Sequence, residues 1–463
     1  MNTSKSQVSS FLLAISSLIL IACVNLQGEQ EENEPDSSLT DTPITTNQGV
    51  EFFQGSFQGA LAYAAQTEKL VFVYAYDNSG RGANIVMEDA VFPLPNIGEY
   101  INERFVSVKF DLNDEELNGS AIATRYKFSI PPTFLILDTE GREVGRAQDR
   151  YGALPNQFLS MISRLLGESS STIDEMQAKY DSGERSPEFV QEFLMQAIIE
   201  RALLNVDSEE DAQIWFEESA KYRHISKGYF ASKSHSELIN EIDAHLVMYY
   251  WDGMPRGDEL VEFVMDHFEK FLAVSSVSSL AQFTLFATWS AAGAAAQAGD
   301  ENYSDYIAAL EDYPLHKAVE YERHRLPSSN FLPDRMNEDF KPIFLAGKQD
   351  WDGYYDLYKK KLEEGADDTL GREFLWAMIQ LSRSDNAIHH ELAIELGQRG
   401  FEKDKNDPYN TATYIQYLVI LKKPDEARRV AEEYRSRLSD SEADEENLMI
   451  FNESTEMFLN ESN

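Results

Sequence analysis

Few residues in this chain of 463 have both the type and the spacing that chemistry needs. The run Gly80-Arg81-Gly82-Ala83-Asn84 stands between an apolar stretch and a helical one, and it contains no cysteine. A glycine-rich loop that opens a helix turns backbone amides toward one point, where they can hold an anion or lower a thiol's pKa. With Arg81 as its charge, the loop suits a small anion or carboxylate; it equally suits a plain turn in which Gly80 and Gly82 permit tight geometry and Arg81 is solvated. Ser79 beside it is a weak nucleophile with no base, because all eight histidines lie between His224 and His390. His389 and His390 are adjacent, which on a helix turns them about 100° apart and prevents the shared metal that an i, i+4 pair could hold. His245 and His267 read as structural residues with satisfied rings. No phosphate-loop, nucleophile-elbow or zinc-protease pattern occurs, and acidic pairs are too abundant for any two to mark an acid–base couple. Neither a metal nor a cofactor is expected.

The chain's one cysteine, Cys23, ends a segment with a positive start at Lys5, an apolar stretch from Phe11 to Ile21 and the tetrapeptide Leu20-Ile21-Ala22-Cys23. The apolar run falls short of the about 20 residues that a membrane span needs, so residues 1–22 read as a signal peptide. The tetrapeptide resembles the bacterial lipobox, whose cysteine is acylated and becomes the new amino terminus; a plain secretory signal with an incidental cysteine is the other reading. The resemblance implies a lipid anchor at Cys23. Val24 in place of Asp implies the periplasmic side of the outer membrane rather than the inner membrane where the host has both. An acylated Cys23 leaves no free thiol in the mature chain, which excludes disulfide exchange within it.

Forty Lys and Arg against 80 Asp and Glu give a net charge of −40, which repels polyanions, so no nucleic-acid partner is expected. An apolar fraction of 43% supplies cores for two to four domains. Residues 23–48 are polar and acidic and cannot bury enough surface to offset ordering entropy, so a flexible tether is expected there.

Residues 49–169 alternate strands and helices in the order βαβαββα around a mixed sheet. The helical stretch from Ser56 to Glu68 puts Ala60, Ala64 and Ala65 on a small-residue face. The strand Leu70 to Tyr76, the Met87-Glu88 and Val91-Phe92 pairs, the strand Phe105 to Asp111 and the sequence Ile130-Pro131-Pro132-Thr133-Phe134 follow one another in a particular order and spacing. This stretch resembles a thioredoxin-like domain of the kind found in secreted bacterial proteins. The resemblance places the usual C-x-x-C on Arg81 to Asn84 counted from Val91-Phe92, or on Gly80 to Ala83 counted from the strand; sulfur is absent from both. It also makes Pro132, before Thr133, the cis-proline of the fold. Pro131 precedes it and has no N–H, so half of the usual peptide-pairing edge is missing.

Residues 170–463 read as an all-α, irregular TPR-like solenoid, with one tetratricopeptide-like unit at about 391–438 marked by Asp407-Pro408, a turn at Lys422 to Asp425 and Ala427 at a close-packing position. Phe271 to Gly299 carries no charge, but its serines and small residues fit two packed helices better than a membrane span. Thioredoxin-like and helical parts are expected to separate between about Leu166 and Thr172. Together these features imply a lipid-anchored cell-envelope protein with a redox-inactive domain and a helical region that binds a protein or peptide. An envelope redox component whose thiols come from a partner is the alternative.

Overall fold

The computed structural model describes residues 49–77, 86–112, 119–128, 131–148, 154–204, 209–251, 253–365, 371–438, 447–452 and 454–455. The expected signal peptide, Cys23, the tether and the loop Gly80 to Asn84 lie outside the described residues.

Four strands, β1 (Leu70–Tyr76), β2 (Phe105–Asp111), β3 (Thr133–Leu137) and β4 (Glu143–Gln148), form a mixed sheet in the order β2-β1-β3-β4. Central β1 runs parallel to β2, with Leu70 opposite Phe105, and antiparallel to β3, with Ala75 opposite Thr133. Phe52 adds an isolated parallel bridge to Ser107 on the far edge of β2. A parallel pair requires a crossover, and helix α2 (Pro95–Arg104) supplies it before β2. Strand β1 is apolar at successive positions because both faces of the sheet are covered. On one face Phe72, Tyr74, Phe134 and Ile136 pack with Phe92 and with Phe158 of α4 (Pro155–Leu165), where α3 is Gly119–Tyr126. On the other, Val71, Val73, Leu135 and Leu137 meet α1 (Phe57–Thr67) and Ile122 and Tyr126 of α3. Ser56 starts α1 by accepting the Gly59 N–H on its Oγ at 3.1 Å. Ala60 and Ala64, one turn apart, are buried against the sheet; Ala65 lies about 100° further round and is exposed.

From Ile173 on, the described residues form helices and turns without a strand: α5 (Ile173–Asp181), α6 (Pro187–Ala202), α7 (Glu209–Ala231), α8 (Glu241–Tyr250), α9 (Glu259–Asp266), α10 (Phe268–Leu272), α11 (Val277–Ala298), α12 (Asn302–Ala308), α13 (His316–Arg325), α14 (Pro333–Gly347), α15 (Trp351–Glu363), α16 (Arg372–Leu381), α17 (Ala387–Lys403), α18 (Pro408–Ile420) and α19 (Pro424–Arg437). None of the described helices is long and apolar enough to cross a membrane. The uncharged α11 instead buries Leu280, Phe283, Leu285 and Ala292 within protein.

Packing divides the chain into two compact units. One holds the described residues through Ala291 together with Tyr306–Pro333; the other holds Ala292–Asp305 and the described residues from Asp334 on. In the first unit the core of the sheet takes in Ile199 and Ala202 of α6, so helices beyond 169 share its apolar interior. In the second, Asp407 accepts the Asn410 N–H at the start of α18, Pro408 fills the first helical position, and Ala427 is fully buried on α19.

Candidate functional site

The end of β1, the start of β3 and the helical turn Met87–Val91 lie at one end of the sheet. The register opposes Ala75 to Thr133, and the Tyr74 ring meets Phe92 edge-on at 4.9 Å. The peptide bond between Pro131 and Pro132 is cis; Pro132 and Thr133 are buried and Pro131 is partly exposed. Two successive prolines leave this approach to β3 with carbonyl acceptors and no N–H donor. Lys109, opposite Tyr74 on β2, reaches Glu88 at 3.1 Å and lies 5.4 Å from the centre of the Phe52 ring and 5.8 Å from that of Tyr76. Its ammonium is thus shared between a carboxylate and two ring faces.

One contact here was invisible in the sequence. Asp89, on the turn next to Glu88, accepts a hydrogen bond from the Tyr321 hydroxyl of α13, 232 residues away. Burial, reinforced by the Asp89 carboxylate, pushes the Tyr321 phenol above its usual range and keeps it a neutral donor. The helical region is thereby tied to the segment that follows Gly80 to Asn84. Tyr321 sits in an ordinary amphipathic helix, and no local pattern marks it.

Around this end of the sheet the described side chains offer no thiol and no imidazole, and Thr133, the nearest hydroxyl on β3, is fully buried. Lys109 is engaged by Glu88. Among the described residues, the arrangement has carbonyl acceptors, aromatic faces and a shared cation.

A second cluster has the wiring of a nucleophile–base–acid array. Ser384 Oγ lies 2.8 Å from His389 Nδ1, and His389 Nε2 lies 3.1 Å from Asp352 Oδ1. With the proton on Nε2 toward Asp352, Nδ1 accepts the Ser384 hydroxyl proton. They line an open depression of about 490 Å³ with Gln349, Asp350, Trp351, Asp385 and Asn386. Two observations make it a lock on the start of α17 instead of a catalyst. Ser384 is only 6% exposed and its oxygen already accepts the Asn386 N–H at 3.1 Å. The carboxylates of Asp350 and Asp385 would also oppose a developing oxyanion. Asn386 accepts the Ile388 N–H at 3.0 Å, and His390 Nε2 lies 2.6 Å from the Ser384 carbonyl, completing the helix start. The sequence marks His389 and His390, but only the fold brings Asp352 to His389.

The remaining named histidines diverge. His267 Nδ1 meets the Phe263 carbonyl at 3.1 Å, as a satisfied ring should. His245 differs from the expectation: its Nε2 is buried without a hydrogen-bond partner, and burial lowers its pKa to about 4. On α8 its ring lies 6.3 Å from that of Tyr249.

No protein-family model matches the sequence, and no curated protein does. A solved structure titled DsbH Oxidoreductase aligns with 29% of this chain and 96% of its own at 14% identity, with a TM-score of 0.24.

Proposed function

We propose that this chain is a lipid-anchored envelope protein whose α/β part is a thioredoxin-like domain without thiol chemistry and whose helical region binds a protein or peptide. The observation that carries this reading is the cysteine content: Cys23 is the chain's one sulfhydryl, so no dithiol can form within it. The strand order and the parallel β1–β2 crossover, with antiparallel β3 on the other side of β1, support the thioredoxin-like reading. Helical hairpins such as α16–α17 and α18–α19, the latter pair resembling a tetratricopeptide unit, support a binding region that presents surface rather than chemistry.

Purified protein is expected to give no catalysed reduction of insulin disulfides above a dithiothreitol control. Turnover by the chain would overturn the reading. Cys23→Ser is expected to move the protein from the membrane to the soluble fraction; unchanged membrane retention would remove lipid anchoring from the proposal. Two acyl groups or more are needed for stable retention, since each buried CH₂ contributes about 0.8 kcal/mol.

A further inference from the structure

Helices α16 and α18 pack side by side on α17. Gly397 of α17 sits where a Cβ would lie 2.2 Å from Met378 Sδ of α16 and 3.1 Å from the Tyr414 ring of α18, so these residues mark the inner sides of the two helices. Trp376 lies about 200° around α16 from Met378, while Tyr409 and Ile420 lie about 140° and 120° from Tyr414 on one side of α18. All three point away from the packed side and are strongly exposed, Trp376 at 50%, Tyr409 at 61% and Ile420 at 47%. Large apolar side chains left exposed on two neighbouring helices mark a surface where something can dock.

The charge on this face runs against that of the molecule. The outward positions 372, 376, 379 and 383, with 409, 413, 416 and 420, include two arginines and no carboxylate, in a chain with twice as many acidic as basic residues. Arg372 stands one turn before Trp376 and Arg383 stands in the turn that follows α16; both are exposed, and neither is ion-paired among the described residues. Elsewhere in the same unit arginines such as Arg399 and Arg428 are ion-paired with Glu395 and Asp425.

We infer that the exposed face of α16 and α18 binds a short peptide with an aromatic or aliphatic centre and a carboxylate, the rings of Trp376 and Tyr409 taking the apolar side chains and Arg372 or Arg383 taking the carboxylate. This deepens the reading of the helical region as a binding surface and rests on it. Guanidinium forks pair with carboxylates in two parallel hydrogen bonds, and tryptophan and arginine are the side chains that dominate binding hot spots. Arg372 and Arg383 are about 16 Å apart along the helix direction, the span of about five residues of extended peptide.

The test is selection from a displayed random heptapeptide library on the full chain, followed by anisotropy of the enriched peptides synthesised with fluorescein. Enrichment of aromatic or aliphatic residues with Asp or Glu is expected. The affinity should fall at least tenfold with Trp376→Ala, and at least tenfold with the pair Arg372→Glu and Arg383→Glu, whose exposed positions leave folding intact. Comparing amidated and free-acid forms tells a carboxyl terminus from an acidic side chain. Enrichment of Lys- and Arg-rich peptides that bind equally to Trp376→Ala would overturn this site and leave a binding protein that works through its overall charge. Absence of any enriched peptide would overturn this site as well, and insulin turnover alongside it would remove the reading on which it rests.

Discussion

Tyr321 and Asp89 show how one side chain can join regions that the chain keeps far apart. Removing the Tyr321 hydroxyl takes away a charge-assisted hydrogen bond while preserving the ring, so Tyr321→Phe is expected to lower unfolding stability by about 1–2 kcal/mol. The same change should speed amide exchange at Met87 to Val91, read by hydrogen–deuterium mass spectrometry, because that turn loses its tie to α13. Unchanged exchange there would mean that apolar packing alone holds the turn. The prediction separates the hydroxyl from the ring, which packing would retain in either case.

At the scale of elements, two junctions depend on single positions. Asp243 of α8 is fully buried and accepts from Tyr229 Oη at 2.6 Å, Gln191 Nε2 at 2.8 Å, Asn240 Nδ2 at 2.8 Å and Lys233 Nζ at 2.6 Å. Burial works to raise its pKa, but the hydrogen bonds from Lys233, Tyr229, Asn240 and Gln191 outweigh it and hold the carboxyl below its usual range. This carboxylate joins α6, α7 and α8. Asp243→Ala leaves four donors, one of them the mostly buried Lys233 ammonium, without their acceptor, so a loss of about 3–5 kcal/mol is expected in denaturant unfolding. The second junction is between α2 and the segment before α1. A Cβ on Gly98 would sit 2.0 Å from the Gly49 carbonyl oxygen, a backbone atom that cannot swing aside. Gly98→Ala is expected to destabilise the sheet unit by at least about 2 kcal/mol, and a shift smaller than that would show that the 49–53 segment moves freely.

At the scale of the whole molecule, two buried groups, one in each unit, respond to acid in opposite directions. His245, in the unit that holds the sheet, has its pKa lowered by burial to about 4 from an ordinary 6.5. Between those values the unfolded chain binds the proton more readily, so stability present above pH 6.5 is lost as pH falls toward 4, by about 3 kcal/mol at most. Asp339, in the other unit, has its carboxyl raised to about 6 from 3.8, chiefly by burial and then by neighbouring Glu338. There the folded state binds the proton more readily, and stability rises as pH falls from 6 to 3.8. Taking the midpoints of urea unfolding at pH 7 and pH 5, His245→Phe should lose less stability on acidification than the unaltered protein. Asp339→Asn should lose more. The same slope in all three proteins would show that neither group titrates as its burial requires. From 170 on, 58 acidic residues face 29 basic ones, so association with any basic partner should slow as salt rises, a rate measurable at two ionic strengths.

Much of the sheet was legible before folding, because β1 and β3 are short apolar runs that only a doubly covered strand requires, and period, turn and proline signals are local. The starts of α1 and α18 were legible for the same reason: Ser56, and Asp407 with Pro408, act on amides within three residues of themselves. That no dithiol can form within the chain was legible from composition alone, since no fold can supply a thiol that the chain lacks. What only the tertiary structure decided is every pairing between distant residues. Asp89 with Tyr321, Asp352 with His389, and Ile199 with the core of the sheet are set by where helices dock, and docking depends on the combined shape of surfaces that no local period encodes. The exposed face of α16 and α18 belongs with them: no local period tells that packing leaves Trp376 and Tyr409 outward.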